Sequence, residues 1–237
     1  MQEPPPKRYY TPEEYLALEE AAEYKSEYRN GEIVPLHWEE DMMPAQTEKR
    51  YYTPEEYLAL EEAAEYKSEY RNGEIVPMTG GTTNHNQIIG NLYANLHFAF
   101  RRQNYRVFMN DVRLWMTHYK LYTYPDIMVI EGEPVYYENR TDTVTNPLII
   151  VEVLSKSTKN YDRGDKFDCY RSIPEFKEYI LIDQYRFHVE QFSKTSEGKW
   201  LLSYYESADA VLTLSSINFT IALSEMYERV DFELREE

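Results

Sequence analysis

Two carboxylates stand where a chain of this kind would normally place apolar side chains, and they constrain its fold more than any other feature. Glu152 interrupts the run Leu148-Ile149-Ile150-Val151-Glu152-Val153-Leu154, and Asp126 opens the run Ile127-Met128-Val129-Ile130 directly after Pro125. Both runs read as buried strands: short, rich in β-branched residues and preceded by proline. An ionised carboxylate inside such a strand is costly unless a cation, a hydrogen-bond network or a metal compensates it. Two of them, 26 positions apart on successive strand-like segments, point to one shared cation. Hard oxygen ligands on adjacent strands suit Mg²⁺ or Mn²⁺, with Asp126 and Glu152 as ligands and the Val153 carbonyl completing the protein's share of the shell. Such a pair supports phosphodiester hydrolysis, where the metal neutralises the phosphate and lowers the pKa of the attacking water. The plainer readings are that Asp126 caps a turn after Pro125 and that Glu152 is a paired structural acid.

Composition bounds the rest. The 237 residues carry a formal net charge of -17, which argues against broad, non-specific nucleic-acid binding. Residues 1–48 hold 12 acids and 4 bases, or -8, which leaves -9 on residues 49–237. An acidic enzyme holds a phosphodiester through metal ions and a local cluster of cations. The single cysteine, Cys169, excludes an intrachain disulfide and fits a reducing cytoplasm. No apolar run reaches the length of a membrane span, and the start of the chain lacks the apolar stretch of a secretory signal. The five histidines show no H-x-x-x-H spacing, and the eight glycines form no phosphate loop.

Residues 7–35 and 49–77 are identical, at an offset of 42. Repeat architectures need several stacking units, so two perfect copies indicate a duplication rather than a solenoid. Each copy opens with a capping signature, Thr53-Pro54-Glu55-Glu56 in the second, and continues to a hairpin turn, Arg71-Asn72-Gly73-Glu74. Only one copy can fill one slot in the fold. The second runs directly into the following helix and takes the slot. Residues 1–48 are then an appendage, carrying a partly formed helix on a mobile arm or a competitor for the same groove, and Met42 or Met43 is an alternative start. Residues 49–237 form the domain.

Beyond the repeat, residues 84–103 read as a helix with Ile88, Leu92, Leu96, Ala99 and Phe100 on one face. A strand region follows over 105–116, then the Asp126 and Glu152 strands and a short helix over 160–172 stopped by Pro174. Further strands are expected over Glu178–Asp183, Phe187–Phe192 and Trp200–Tyr205, and the tail 212–223 ends in a strand and a short helix. Strands and helices mix without strict βαβ alternation, which predicts an α/β fold with a mixed central sheet flanked by helices.

The ordered strings Tyr70-Arg71-Asn72-Gly73-Glu74-Ile75, Asn84-His85-Asn86, Tyr124-Pro125-Asp126, Val151-Glu152-Val153-Leu154-Ser155, Asp162-Arg163-Gly164-Asp165-Lys166-Phe167 and Glu178-Tyr179-Ile180-Leu181-Ile182-Asp183 resemble the Uma-type family of proposed restriction endonucleases, within the PD-(D/E)xK nuclease superfamily. The resemblance spans roughly residues 50–232. It implies a restriction-endonuclease-like fold and Mg²⁺-dependent cleavage of DNA, with a homodimer supplying one site per strand. The superfamily pattern places lysine two positions after the second acid, and Leu154 stands there. Lys166 is the substitute the resemblance suggests; it shares a helix face with Asp162 at i,i+4. Lys156 and Lys159 are better placed for a phosphate. His85 and Glu74 are second-rank candidates for the site.

Each of these has a plainer account. Asp162 and Lys166 read equally as a solvated ion pair, His85 as a capping residue, and Glu69 and Glu74 as acids of a solvated hairpin. The rival from another class is a non-catalytic binding or regulatory module on a nuclease fold, which the acidic charge and Leu154 favour. Hydrolysis of a different phosphodiester is a third reading.

Overall fold

The computed structural model describes residues 50–78, 80–156 and 158–233, together with the backbone of Ser26–Arg29 and Glu32–Pro35. The chain divides into two compact units, Met1–Arg50 and Tyr51–Glu237. In the first, β1 (Ser26–Arg29) and β2 (Glu32–Pro35) form an antiparallel hairpin. The first copy's helix start and Met42 and Met43 lie outside the described residues.

The second unit opens with α1 (Pro54–Ala63), whose capping box is complete: the Glu56 amide donates to Thr53 Oγ1 at 3.1 Å and the Thr53 amide to Glu56 Oε2 at 2.8 Å. Then come β3 (Ser68–Arg71) and β4 (Glu74–Pro77), joined by Asn72 and Gly73 at φ 45° and 101°. Ser68↔Pro77 through Arg71↔Glu74 repeats the pairing Ser26↔Pro35 through Arg29↔Glu32. Identical local sequence gives identical pairing, as expected of a hairpin encoded by its own turn.

The long helix α2 (Thr83–Phe100) buries Ile88, Ile89, Leu92, Leu96 and Phe100. The predicted strand region over 105–116 proves to be two strands, β5 (Tyr105–Met109) and β6 (Arg113–Met116). They are separated at Asn110, which takes the left-handed φ of 56° that asparagine tolerates. They belong to different sheets. After β7 (Leu121–Thr123), β8 (Ile127–Glu131), β9 (Thr143–Val144) and β10 (Ile149–Leu154) comes a helical run over 159–170, here α3. Its middle, Asp162–Lys166, is a π-helical turn. The chain finishes with β11 (Glu178–Asp183), β12 (Val189–Lys194), β13 (Trp200–Tyr205), β14 (Val211–Leu214), β15 (Phe219–Ala222) and α4 (Leu223–Met226).

Six strands form a mixed sheet in the order β13-β12-β11-β10-β8-β5, in which only the β10–β11 pair is parallel. Five more form a second sheet, β4-β3-β7-β6-β9, and β14 and β15 form a third. The single central sheet read from the sequence is therefore accompanied by a second one built around the hairpin. Period-two alternation sorts the six-stranded sheet's side chains between two cores. Ile149, Val151 and Val153 join Ile127, Val129, Ile180 and the buried face of α2. Ile150 and Leu154 join Met128, Ile130, Leu181 and the Phe167 and Tyr170 of α3. Glu152 shares the parity of Ile150 and Leu154, so it points into the second core. An aromatic cluster of Tyr57, Tyr70, Trp115 and Tyr122 fastens α1 to the second sheet. No helix among the described residues is long and apolar enough to cross a membrane.

Candidate active site

The two sheets meet where the chain leaves β7 and enters β8 through Tyr124-Pro125-Asp126. Pro125 has no amide hydrogen to give to a ladder, so the strand breaks there and resumes at Ile127. The β8–β10 register runs Val129↔Ile149, Met128↔Ile150, Ile127↔Val151. One further step sets Asp126 opposite Glu152. Asp126 closes that step with its side chain: Oδ2 accepts the Val153 amide at 2.7 Å.

His85 reaches the same oxygen, with Nε2 at 3.2 Å from Asp126 Oδ2. It lies in the first turn of α2, where its amide donates to the Thr82 cap at 3.1 Å. Burial works against protonation of His85, but hydrogen bonds to Asp126 and to the Val153 backbone, with the charges of Asp126 and Asp162, raise its pKa overall. Gly81 fits closely against the ring; a Cβ there would sit 2.7 Å from Nδ1. Neighbouring Asn84 has a structural task instead, bonding both the carbonyl and the amide of Asp231 at 2.7 and 3.1 Å.

Glu152 is 4 % exposed. Its Oε1 accepts from the Tyr170 hydroxyl at 2.7 Å and lies 2.9 Å from Lys166 Nζ. The lysine is equally enclosed, and its ammonium also faces Asp162 at 3.4 Å and Glu69 at 3.5 Å. An ammonium has three donors, so one carboxylate per donor is what its chemistry admits. Burial alone would discharge Lys166, but the three carboxylates outweigh burial and hold its pKa well above the usual value. Glu152 goes the other way. Burial pushes it up, Lys166 pulls it down, and Asp126 and Asp162 push it up again, so that it lies above the usual carboxylate range.

The π turn explains how a lysine from α3 arrives here. A π turn is wider than an α turn and is frequent at functional sites. Here it carries Asp162 and Lys166 inward together, while Tyr179 caps the Asp162 carbonyl at 3.0 Å. Leu154, two residues beyond Glu152 on the same face, is packed in the apolar cluster with Phe167 and Tyr170. The cation of the site therefore enters from the helix.

Asp126, Glu152, Val153, Lys166 and His85 are thus brought together, and the Asp162–Lys166 pair is buried rather than solvated. Of the two acids flanking the hairpin turn, Glu69 is the one that faces Lys166. Glu74 pairs in register with Arg71 at the start of β4. Sequence reasoning set Glu69 aside as a solvated acid, yet it is 5 % exposed. Its contact with Lys166 spans two sheets, and no local pattern announces it.

The chemistry of the donors fits a hard divalent cation. Asp126 Oδ1 and Glu152 Oε2 accept no hydrogen bond from the described residues, and a cation would offset the charges of Asp126 and Asp162, which add to burial in raising Glu152. Among the described residues no three His, Cys, Asp or Glu side chains gather as a metal-holding group. Two carboxylates and a carbonyl would leave about half of an octahedral shell to water, and Mg²⁺ usually keeps several waters.

The mixed sheets flanked by few helices make this a mixed α/β protein, an architecture consistent with a restriction-endonuclease-like nuclease. The fold is shared with the crystal structure of a "putative nuclease belonging to DUF820" from Anabaena variabilis, at a TM-score of 0.62 and 19% identity over 74% of this chain and 97% of that one. The chain belongs to the Uma2 family, "Putative restriction endonuclease", which it matches over residues 54–224. Two proteins of Synechocystis sp. are similar to it. The uncharacterized protein sll1609 is 41% identical over 205 residues, covering 86% of this chain and 92% of that protein. The uncharacterized protein slr1290 is 33% identical over 155 residues, covering 65% and 80%.

Proposed function

We propose that this protein is a metal-dependent endonuclease that hydrolyses DNA phosphodiester bonds. The observation that carries the reading is the buried ammonium of Lys166, 2.9 Å from Glu152, beside an Asp126 that the strand register sets opposite that glutamate. Asp126 and Glu152 would hold Mg²⁺ or Mn²⁺, with the Val153 carbonyl as a third ligand. When bound, the ion neutralises the phosphodiester and lowers the pKa of the attacking water. Lys166 is fixed by three carboxylates and stabilises charge developing at the reacting phosphate. His85 and the Val153 amide fix the orientation of Asp126. Family membership supports the nuclease reading, and the acid pair supports the metal.

The test is cleavage of a duplex DNA by purified protein. Cleavage with Mg²⁺ or Mn²⁺, stopped by EDTA and restored by excess metal, is the expected result. Folded protein that cleaves with neither ion would favour a non-catalytic binding or regulatory module, the reading that the net charge of -17 supports.

A homodimer is part of the proposal. Strand β13 is an edge of the six-stranded sheet, and Leu201, Leu202 and Tyr204 on it are 60%, 37% and 58% exposed. An uncharged apolar edge invites pairing with a second copy. Light scattering should give twice the 28.4 kDa of one chain; the mass of a single chain contradicts it.

A further inference from the structure

We propose that Arg71 contacts the nucleic-acid backbone, gripping a phosphate beside the scissile one from a seat built by Glu69 and Tyr161. The inference rests on the nuclease reading and adds a phosphate subsite to it.

The two oxygens of Glu69 serve different partners. Oε1 accepts the Thr123 hydroxyl and lies 3.5 Å from Lys166. Oε2 accepts Nε and Nη2 of Arg71 at 3.0 and 2.6 Å. Burial pushes Glu69 up, but Lys166, Arg71 and Thr123 outweigh it and lower its pKa, so it stays a carboxylate. One buried anion therefore sets the spacing between two cations. The guanidinium of Arg71 is also stacked on Tyr161, 3.8 Å from the ring centroid. Two nitrogens and the plane are thus held, while Nη1 donates no hydrogen bond to the described residues.

Exposure separates the two cations. Lys166 is 7% exposed and occupied by three carboxylates, whereas Arg71 is 34% exposed at the end of β3. Lys166 is enclosed among its carboxylates and acts on the reacting phosphate through its charge; Arg71 is the more open of the two cations. A planar guanidinium already fixed in place loses little freedom on binding and matches phosphate geometry. A chain of net charge -17 must attract a polyanion locally, and a preorganised arginine joined to Lys166 through Glu69 does so. If Arg71 served only to neutralise Glu69, it would need no aromatic platform.

The experiment is fluorescence anisotropy of a labelled duplex with the full chain, in Ca²⁺ to support binding, titrated across salt concentrations. Arg71→Gln keeps a hydrogen bond to Glu69 and removes the charge. It should weaken binding about tenfold or more and flatten the slope of log affinity against log salt by about 0.9. Mn²⁺ affinity by calorimetry should stay unchanged. Tyr161→Leu keeps the charge and removes the platform; it should weaken binding with the salt slope retained, and it serves if Arg71→Gln fails to fold. Wild-type protein that cleaves DNA, with an unaltered slope in Arg71→Gln or unaltered affinity in Tyr161→Leu, overturns the subsite and leaves the nuclease reading standing. Wild-type protein that neither binds nor cleaves DNA overturns both.

Discussion

Lys166→Met should lower DNA cleavage by about 10²–10⁴-fold, the range for losing one positioned acid–base or charge-stabilising group, while Mn²⁺ still binds, as tightly or more so. Methionine nearly preserves the side chain's volume and removes only the charge. The ammonium faces Glu152, Asp162 and Glu69 within 3.5 Å. Without it the acid pair gains negative field, which favours a divalent cation. The same change costs stability. Breaking a buried ion pair from one side costs about 3–5 kcal/mol, or roughly 6–20 °C in Tm for a unit of this size. Saturating Mn²⁺ should restore part of that loss, because a ligand that binds only the folded state stabilises it. Thermal melts with and without Mn²⁺, beside cleavage assays, read all three effects. Near-wild-type cleavage would remove Lys166 from the mechanism.

Asp126→Asn should produce the complementary pattern: Mn²⁺ binding lost, fold largely kept. Asparagine can still accept the Val153 amide, now held at 2.7 Å, so the β8–β10 junction survives. The charge that holds His85 at 3.2 Å and one of two carboxylate ligands are gone. Cleavage should fall by about 10³-fold or more, since a metal contributes several kcal/mol of transition-state stabilisation. Calorimetry showing unchanged Mn²⁺ binding in Asp126→Asn would dismiss the acid pair as the metal site. The two variants together separate roles: one loses chemistry and keeps the metal, the other loses the metal first.

What the sequence made legible was local. Glu152 and Asp126 stood out because their neighbours are apolar, and β-strand alternation is short-range. The capping box at Thr53 and the Asn72-Gly73 turn were readable for the same reason, and β11 and β13 fall on the predicted boundaries. Features that depend on distant pairing were not readable. The chain switches sheets at Asn110 and again at Tyr124–Asp126, so a stretch that reads as one strand region feeds two sheets. Asp162 and Lys166 at i,i+4 look like an ordinary surface pair until Glu69 and Glu152, from two different sheets, close over them. Arg71 gave no signal either, since its value lies in a stacking partner 90 positions away.

The most direct test is nicking of supercoiled plasmid by wild-type protein, Asp126→Asn and Lys166→Met, each in Mg²⁺, Mn²⁺ and EDTA. Metal-dependent nicking by the wild type alone is the expected result. Nicking that persists in EDTA, or that survives in Asp126→Asn, would contradict it.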